Sequence, residues 1–296
     1  MNLLIPLHAL LLERNVTKAA ERFQVSQPTM SATLARLRRH FDDPLLVREG
    51  RTMVLTPLAE SMLGPLRSAL FSAREVLTTG QTFDPGTDQR TFTIVASDYA
   101  ATILLRPALR GLATEAPGMK VIIEPLRADL VDMVRSRQCD LLIWPLQLQT
   151  DELMTYPHQL LFEDEFIVVA DQDNTAVPEP LTGEALATTP GVHVFGAGGR
   201  RVVSEVKLNE QLLRQPTMIA VNSFTLALQM VAGTDLITLT QRRLFENLGP
   251  ALGLREVTQT TEVPKLSLAM FWHPHFIYLP AHQWLRQRLA EVAAEL

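Results

Sequence analysis

A chain of 296 residues with 47% hydrophobic, 20% charged and 6% aromatic side chains can bury a sizeable core, which excludes a disordered polymer, a fibrous repeat and a single minimal module. Its apolar runs, such as Leu141 to Trp144, fall far short of the ~18 residues a membrane span needs. The first residues carry no basic segment and are interrupted by Pro6, His8 and Glu13, unlike a signal peptide, so a cytoplasmic protein is expected. The lone Cys139 agrees with a reducing compartment and rules out a multi-cysteine zinc site.

The formal net charge of −5 is unevenly spread: residues 1 to 77 hold 10 Lys and Arg against 7 Asp and Glu, whereas the rest hold 17 against 25. A basic head on an acidic body suits only the head to a polyanion.

In chain order, Leu3 to Glu13 and Thr17 to Phe23 read as two short helices, the second with a capping signal at Thr17. A third starts after Ser26, a good N-cap followed by Pro28 in the first turn, and its apolar stripe is Met30, Leu34 and Leu37. So tight a turn between the second and third helices forces a steep crossing, the helix-turn-helix geometry. Two β-capable runs between Pro44 and Leu55 flank a Glu-Gly turn with Arg48 and Arg51 on either side, the pattern of a hairpin or wing. Residues 1–56 are thus expected to be one all-α winged helix-turn-helix head.

Thr56 and Pro57 then open a long helix in which Ala59, Leu63, Leu66, Leu70, Ala73 and Leu77 recur every three or four residues. Residues 57–77 are expected to be a linker helix whose seam pairs with a second copy, the alternative being a helix packed on its own domain. Residues 78–90 have turn chemistry and form a hinge.

From residue 91 strands alternate with helices: strands at 91–96, 120–125 and 140–144, with helices at 98–115 and 129–137. A second set has strands near 165–170, 192–195, 218–221 and 236–239, with helices near 203–215 and 224–232. Such alternation predicts sheets of mostly parallel strands, and residues 91–296 are expected to be an α/β domain of two Rossmann-like lobes with a cleft at the strands' carboxyl ends.

The run Asn15-Val-Thr-Lys-Ala-Ala-Glu-Arg-Phe-Gln-Val-Ser-Gln-Pro-Thr-Met-Ser-Ala-Thr-Leu-Ala-Arg, followed by Pro44-Leu-Leu-Val-Arg and Leu55-Thr-Pro-Leu-Ala, resembles the DNA-binding head of the LysR-type transcriptional regulators. Met270-Phe-Trp-His-Pro-His-Phe with Ala281-His-Gln-Trp-Leu-Arg further resembles the branch holding nodulation and aromatic-degradation regulators. The family pattern is longer at its start, and the sequence alone does not decide whether native residues precede Met1. The resemblance implies a periplasmic-binding-protein type II-like effector domain and a dimer or tetramer on a dyad-symmetric operator. It also implies contact with RNA polymerase and control by a small-molecule inducer, expected here to be aromatic.

A recognition helix offers its N-terminal residues to base edges, so Gln27, Thr29, Ser31 and Thr33 are the candidate readers, with Thr17, Ser26 and Pro28 beside them. Lys18, Arg36, Arg48 and Arg51 are placed for phosphate or the minor groove. Ala32 and Thr33 stand where the family commonly has longer base-reading side chains.

For the effector the matching positions are Ser97, Asp98, Tyr99, Thr102, Arg127 and Trp144 in the first lobe. The second lobe offers Phe195, Gly196, Asn222, Ser223, Phe224, Trp272 and His273. Helix starts at Ser97 and Asn222 suit an anion, whereas Asp98 repels one and admits a neutral phenol or amine. Gly196 to Arg201 lacks the pattern of a phosphate loop, and His273 with His275 lacks a third metal ligand. No activated nucleophile is visible, so neither an enzyme nor a resident cofactor is expected. A solute-binding or catalytic two-lobed protein is the alternative from another class.

Overall fold

The computed structural model describes residues 3–50, 52–78, 83–196, 215–260 and 265–296, without the side chains of residues 67, 68, 71, 72 and 74–78. The chain divides into two compact units, Met1–Thr82 with Ser136–Gln138, and Phe83–Arg135 with Cys139–Leu296.

In the first unit α1 (Leu4–Glu13), α2 (Val16–Arg22) and α3 (Gln27–Phe41) surround a core that includes Leu7, Leu10, Leu11, Ala19, Ala20, Met30, Leu34 and Leu37. Asn15, not Thr17, caps α2: its side-chain oxygen accepts the amides of Thr17 at 2.9 Å and Lys18 at 3.1 Å. Asparagine is as strong an N-cap as serine and stands two residues earlier, which moves the helix start forward. Ser26 caps α3 as expected, accepting the Thr29 amide. The wing is an antiparallel pair of β1 (Leu46–Glu49) and β2 (Thr52–Leu55). Glu49 faces Thr52 across the pair, and Gly50 beside it takes φ of 60°, the sign tight hairpin turns require.

The side chains of three residues, Arg38, Asp43 and Thr56, tie wing, recognition helix and linker helix together through five hydrogen bonds. Arg38 of α3 donates to the carbonyls of Pro44 and Leu46 at 2.8 and 2.9 Å. Asp43 accepts both the Leu45 amide and the Thr56 hydroxyl, and Thr56 in turn caps α4 (Pro57–Thr78) by accepting the Ala59 amide. In α4 the expected seam is divided. Ala59 and Leu66 are 0% and 5% exposed within the head's own core, and Leu63 and Leu70 pack partly against it. That side of the helix is therefore occupied by its own domain, while Leu58 and Ala69 face solvent and Ala73 is half-buried. The side chain of Leu77 lies outside the described residues.

The second unit holds one path of hydrogen-bonded strands, β4 (Met119–Glu124), β3 (Arg90–Val95), β5 (Leu141–Pro145), β11 (Lys265–Phe271), β6 (His158–Asp171), β9 (Ile237–Gln241), β7 (Gly191–Val194) and β8 (Thr217–Val221), with β10 (Leu254–Val257) on β6. β4, β3 and β5 run parallel, as do β8, β7 and β9, but β11, β6 and β10 pair antiparallel, so the sheets are mixed and not mostly parallel. β6 is more than twice the expected length because it serves both lobes: residues 158–165 pair with β11 and residues 166–170 with β9.

The helix expected over 98–115 is broken into α5 (Asp98–Ala100), a π-helical turn (Ala101–Leu105), α6 (Arg106–Ala108) and α7 (Leu112–Glu115). Pro107 has no amide to donate and crowds the carbonyl of Ile103, and Gly111 at φ of 79° ends the run. The remaining helices are α8 (Leu130–Arg135), α9 (Gly183–Thr188), α10 (Phe224–Val231), α11 (Arg242–Leu248) and α12 (Pro280–Ala293). The helix expected near 203–215 lies outside the described residues apart from Gln215, which sits in a bend. No helix is long and apolar enough to cross a membrane among the described residues.

Candidate DNA-reading face and interlobe cavity

The buried stripe of α3 fixes its outward face. With Met30, Leu34 and Leu37 inside, the opposite side presents Pro28, Ala32, Ala35, Arg36 and Arg39, all exposed, with Gln27 and Thr29 exposed at the first turn. Ser31 and Thr33 sit half-buried on the flanks. The Thr33 hydroxyl is spent on the Thr29 carbonyl at 2.9 Å, and the Thr29 hydroxyl meets Ser26 at 2.7 Å, so Gln27 keeps the longest uncommitted amide of the expected readers. Thr17 and Lys18 are exposed on α2, and Arg48 is exposed on the wing with its Nε on the Gly50 carbonyl. Arg51 lies outside the described residues. Sequence reasoning missed Arg39, although its place one turn from Ala35 and opposite Leu37 was readable from the helical period.

In the second unit a cavity of about 80 Å³ lies between the lobes. Ser97, Tyr99, Arg127 and Trp144 line it from the first lobe, and Gly196 and Phe224 from the second, so the structure brings six of the expected effector residues together. Sequence reasoning missed Phe166, Gln241, Leu266 and Leu268. The last two alternate along β11, a strand whose hydrophobic period was legible, whereas Gln241 shows only as a polar residue ending an apolar strand.

The other expected effector residues are engaged elsewhere. Phe195 donates its amide to the Val221 carbonyl, and Thr102 gives its hydroxyl to the Asp98 carbonyl. Neither they nor the exposed Asn222 line the cavity. Trp272 is buried beneath the Arg286 guanidinium, 4.4 Å from its ring, and His273 accepts the His275 amide. Of the Gly196 to Arg201 run, residues 197–201 lie outside the described residues. Among the described residues no three His, Cys, Asp or Glu side chains are arranged to hold a metal ion.

The start of α10 is already occupied by an anion. Asp98 Oδ2 accepts the Ser223 hydroxyl and the Thr225 amide, each at 2.7 Å, and Ser223 Oγ accepts the Leu226 amide at 3.0 Å. Asp98 therefore does not repel an incoming carboxylate at this helix end so much as stand in its place. Tyr99 is buried and donates its hydroxyl to Asp164 at 2.6 Å; burial and that carboxylate push its pKa far above the ordinary phenol range, so it remains a neutral donor. Arg127 reaches the cavity but shares its guanidinium with Asp129 through two bonds near 3 Å. Gln241 is 1% exposed, and its side-chain oxygen is buried without a hydrogen-bond partner.

Two buried groups belong to the scaffold. Cys139 packs with Val95, Met133 and Leu142, and burial pushes its thiol up to about 12. His282 bonds the Asp140 carbonyl through Nε2 and the Arg286 guanidinium through Nδ1, stacked on Phe276; burial pushes its pKa down to about 3.

Comparison with known proteins agrees with both units. Residues 1–60 match the family described as bacterial regulatory helix-turn-helix protein, lysR family, and residues 85–294 match the LysR substrate binding domain. The chain is 34% identical to Nodulation protein D 2 of Rhizobium tropici over 99% of its length and 93% of that protein's. It is 31% identical to Nodulation protein D 3 of Mesorhizobium japonicum over 100% and 98% of the two lengths. Among solved structures it is similar to the "probable transcriptional regulator PA0477 from Pseudomonas aeruginosa", with a TM-score of 0.73 and 28% identity over 98% of this chain and 96% of that one. A helix-turn-helix head joined to a two-lobed domain, matched in sequence at both ends, places this chain in the LysR family of DNA-binding transcriptional regulators.

Proposed function

We propose that this regulator is switched by a neutral, hydroxylated aromatic molecule held between the lobes of its effector domain. The observation that carries this reading is Gln241: a buried amide with an unsatisfied oxygen is costly, and on the wall of a cavity lined by Tyr99, Trp144, Phe166 and Phe224 it calls for a ligand hydroxyl or amine. The aromatic walls supply ring surface, and Asp98 at the α10 start turns the preference away from a carboxylate there. The cavity of about 80 Å³ is roughly half of the ~150 Å³ that holds a benzene, so a ring enters only as the lobes or their side chains move apart. Entry then shifts the balance between closed and open lobes by the ligand's differential affinity for them.

On the DNA side, Gln27 and Thr29 read bases, and Lys18, Arg36, Arg39, Arg48 and Arg51 hold phosphate or the minor groove. A dimer or a dimer of dimers spans a dyad-symmetric operator and meets RNA polymerase, with no resident cofactor and no catalysis. The test is calorimetric titration of simple and two-ring phenols, and of the benzoates matched to them, into the full chain and Gln241→Leu. A phenol that binds wild type and weakens at least about tenfold in Gln241→Leu, with the unhydroxylated analogue unchanged, is expected. Selective binding of the benzoates, or indifference to Gln241→Leu, refutes the ligand assignment.

A further inference from the structure

On the first lobe's broken helix and the facing α11 lies a second concavity, about 350 Å³, lined by Thr102, Ile103, Arg106, Arg110, Arg243 and Glu246 among others. Its charge is unexpected. Residues 78 to 296 carry 17 Lys and Arg against 25 Asp and Glu, and Arg90, Arg127, Arg135, Arg242, Arg255 and Arg288 each hold an acidic partner. Among the described residues, the guanidinium groups of Arg106, Arg110 and Arg243 hold no ion pair, yet all three line this one pocket, with Glu246 and Leu296, whose terminal carboxylate is the second negative group, on its wall. Arg243 adds a sign of an unfilled role: its Nε is buried without an acceptor, and its guanidinium lies 5.7 Å from the Phe162 ring centre.

An acidic protein gains nothing in stability by gathering three like charges, so the cost points to a use. We propose that this pocket is a second binding site, for a small polyanion with two or more negative charges, a polycarboxylate or phosphate ester, held by forked contacts from arginines of both sides. Planar guanidinium groups match carboxylate and phosphate oxygens two at a time, and the volume falls within the ~300 to 1,000 Å³ usual for small-molecule sites. The site is separate from the interlobe cavity and has no lining residue in common with it.

The test titrates pyrophosphate and citrate into the full chain by calorimetry and thermal shift, the two anions separating a phosphate preference from a carboxylate one. Because the basic head is also a place for anions, the same titrations are run on Arg36→Gln with Arg48→Gln. Saturable binding by wild type is expected, weakened at least about tenfold in Arg106→Gln with Arg110→Gln, two exposed positions whose change spares the fold, and unchanged in the head variant. Glu246→Gln removes an opposing side-chain charge and is expected to tighten binding several-fold. Absence of saturable binding, binding lost in the head variant, or binding indifferent to both pocket variants overturns the proposal.

Discussion

The Asp98 carboxylate of one lobe and the Ser223 hydroxyl of the other are joined at 2.7 Å, and the same carboxylate oxygen takes the Thr225 amide. The helix start that a ligand anion would seek is satisfied from within the protein. If a ligand needs the lobes apart, this bond holds the cavity shut. Asp98→Ala removes two charge-assisted hydrogen bonds of about 1.5 to 3 kcal/mol each, reduced by its partial exposure, and is expected to tighten binding of the proposed ligand at least about tenfold, as read by calorimetry. Weaker binding by Asp98→Ala would show that the ligand uses this carboxylate directly.

The outward face of α3 predicts two kinds of DNA variant. Gln27→Ala should cost about 1 to 3 kcal/mol at one operator position and relax specificity there. Arg39→Ala should weaken all sequences alike and flatten the salt dependence by about one unit of slope. Thr33→Val should change neither, because its hydroxyl is bonded to the Thr29 carbonyl. Gel-shift titrations across salt separate the three.

The divided seam of α4 changes how self-association is tested. Leu66→Glu puts a charge into the head's core and is expected to lower its stability by several kcal/mol, seen as a loss of cooperative melting before any change in mass. Leu58→Glu with Ala69→Glu, at exposed positions on the same helix, should leave the melt intact and yield monomers in sedimentation. A dimer surviving the exposed pair would place the interface on another surface.

His282 predicts an acid-sensitive effector domain. Its pKa falls from about 6.5 in the unfolded chain to about 3 in the fold, so below pH ~6.5 the unfolded chain binds the extra proton. Stability from this group is complete above that pH and declines by up to about 1.4 kcal/mol per unit toward pH 3. His282→Gln should melt lower at neutral pH and show a shallower decline between pH 6 and 4 in denaturant titrations.

Much of the head was legible because its signals are local. Ser26, Pro28, Thr56 and Pro57 state their roles within one turn, and the Met30, Leu34 and Leu37 stripe was recovered as core. The cavity was legible where a strand end meets a helix start, as at Ser97, Trp144 and Phe224. It was not legible where partners are distant in sequence. Nothing in Asp98 alone says that it would meet Ser223, and Gln241 gains meaning only when β9 is set beside β6. The same holds for α4, where a 3.5-residue period serves a domain core and a dimer seam equally well.

The bonds of Arg38, Asp43 and Thr56 have a mechanical consequence. One arginine pins the recognition helix to the wing's base, and one aspartate pins that base to the cap of α4, so there is no soft joint between the three elements. A torque applied along α4 therefore rotates the reading head as a solid lever, leaving the angle between recognition helix and wing as it was. On the proposed reading, regulation would then reach the DNA as a displacement of whole heads, and operators differing only in half-site spacing are the substrates that would register it.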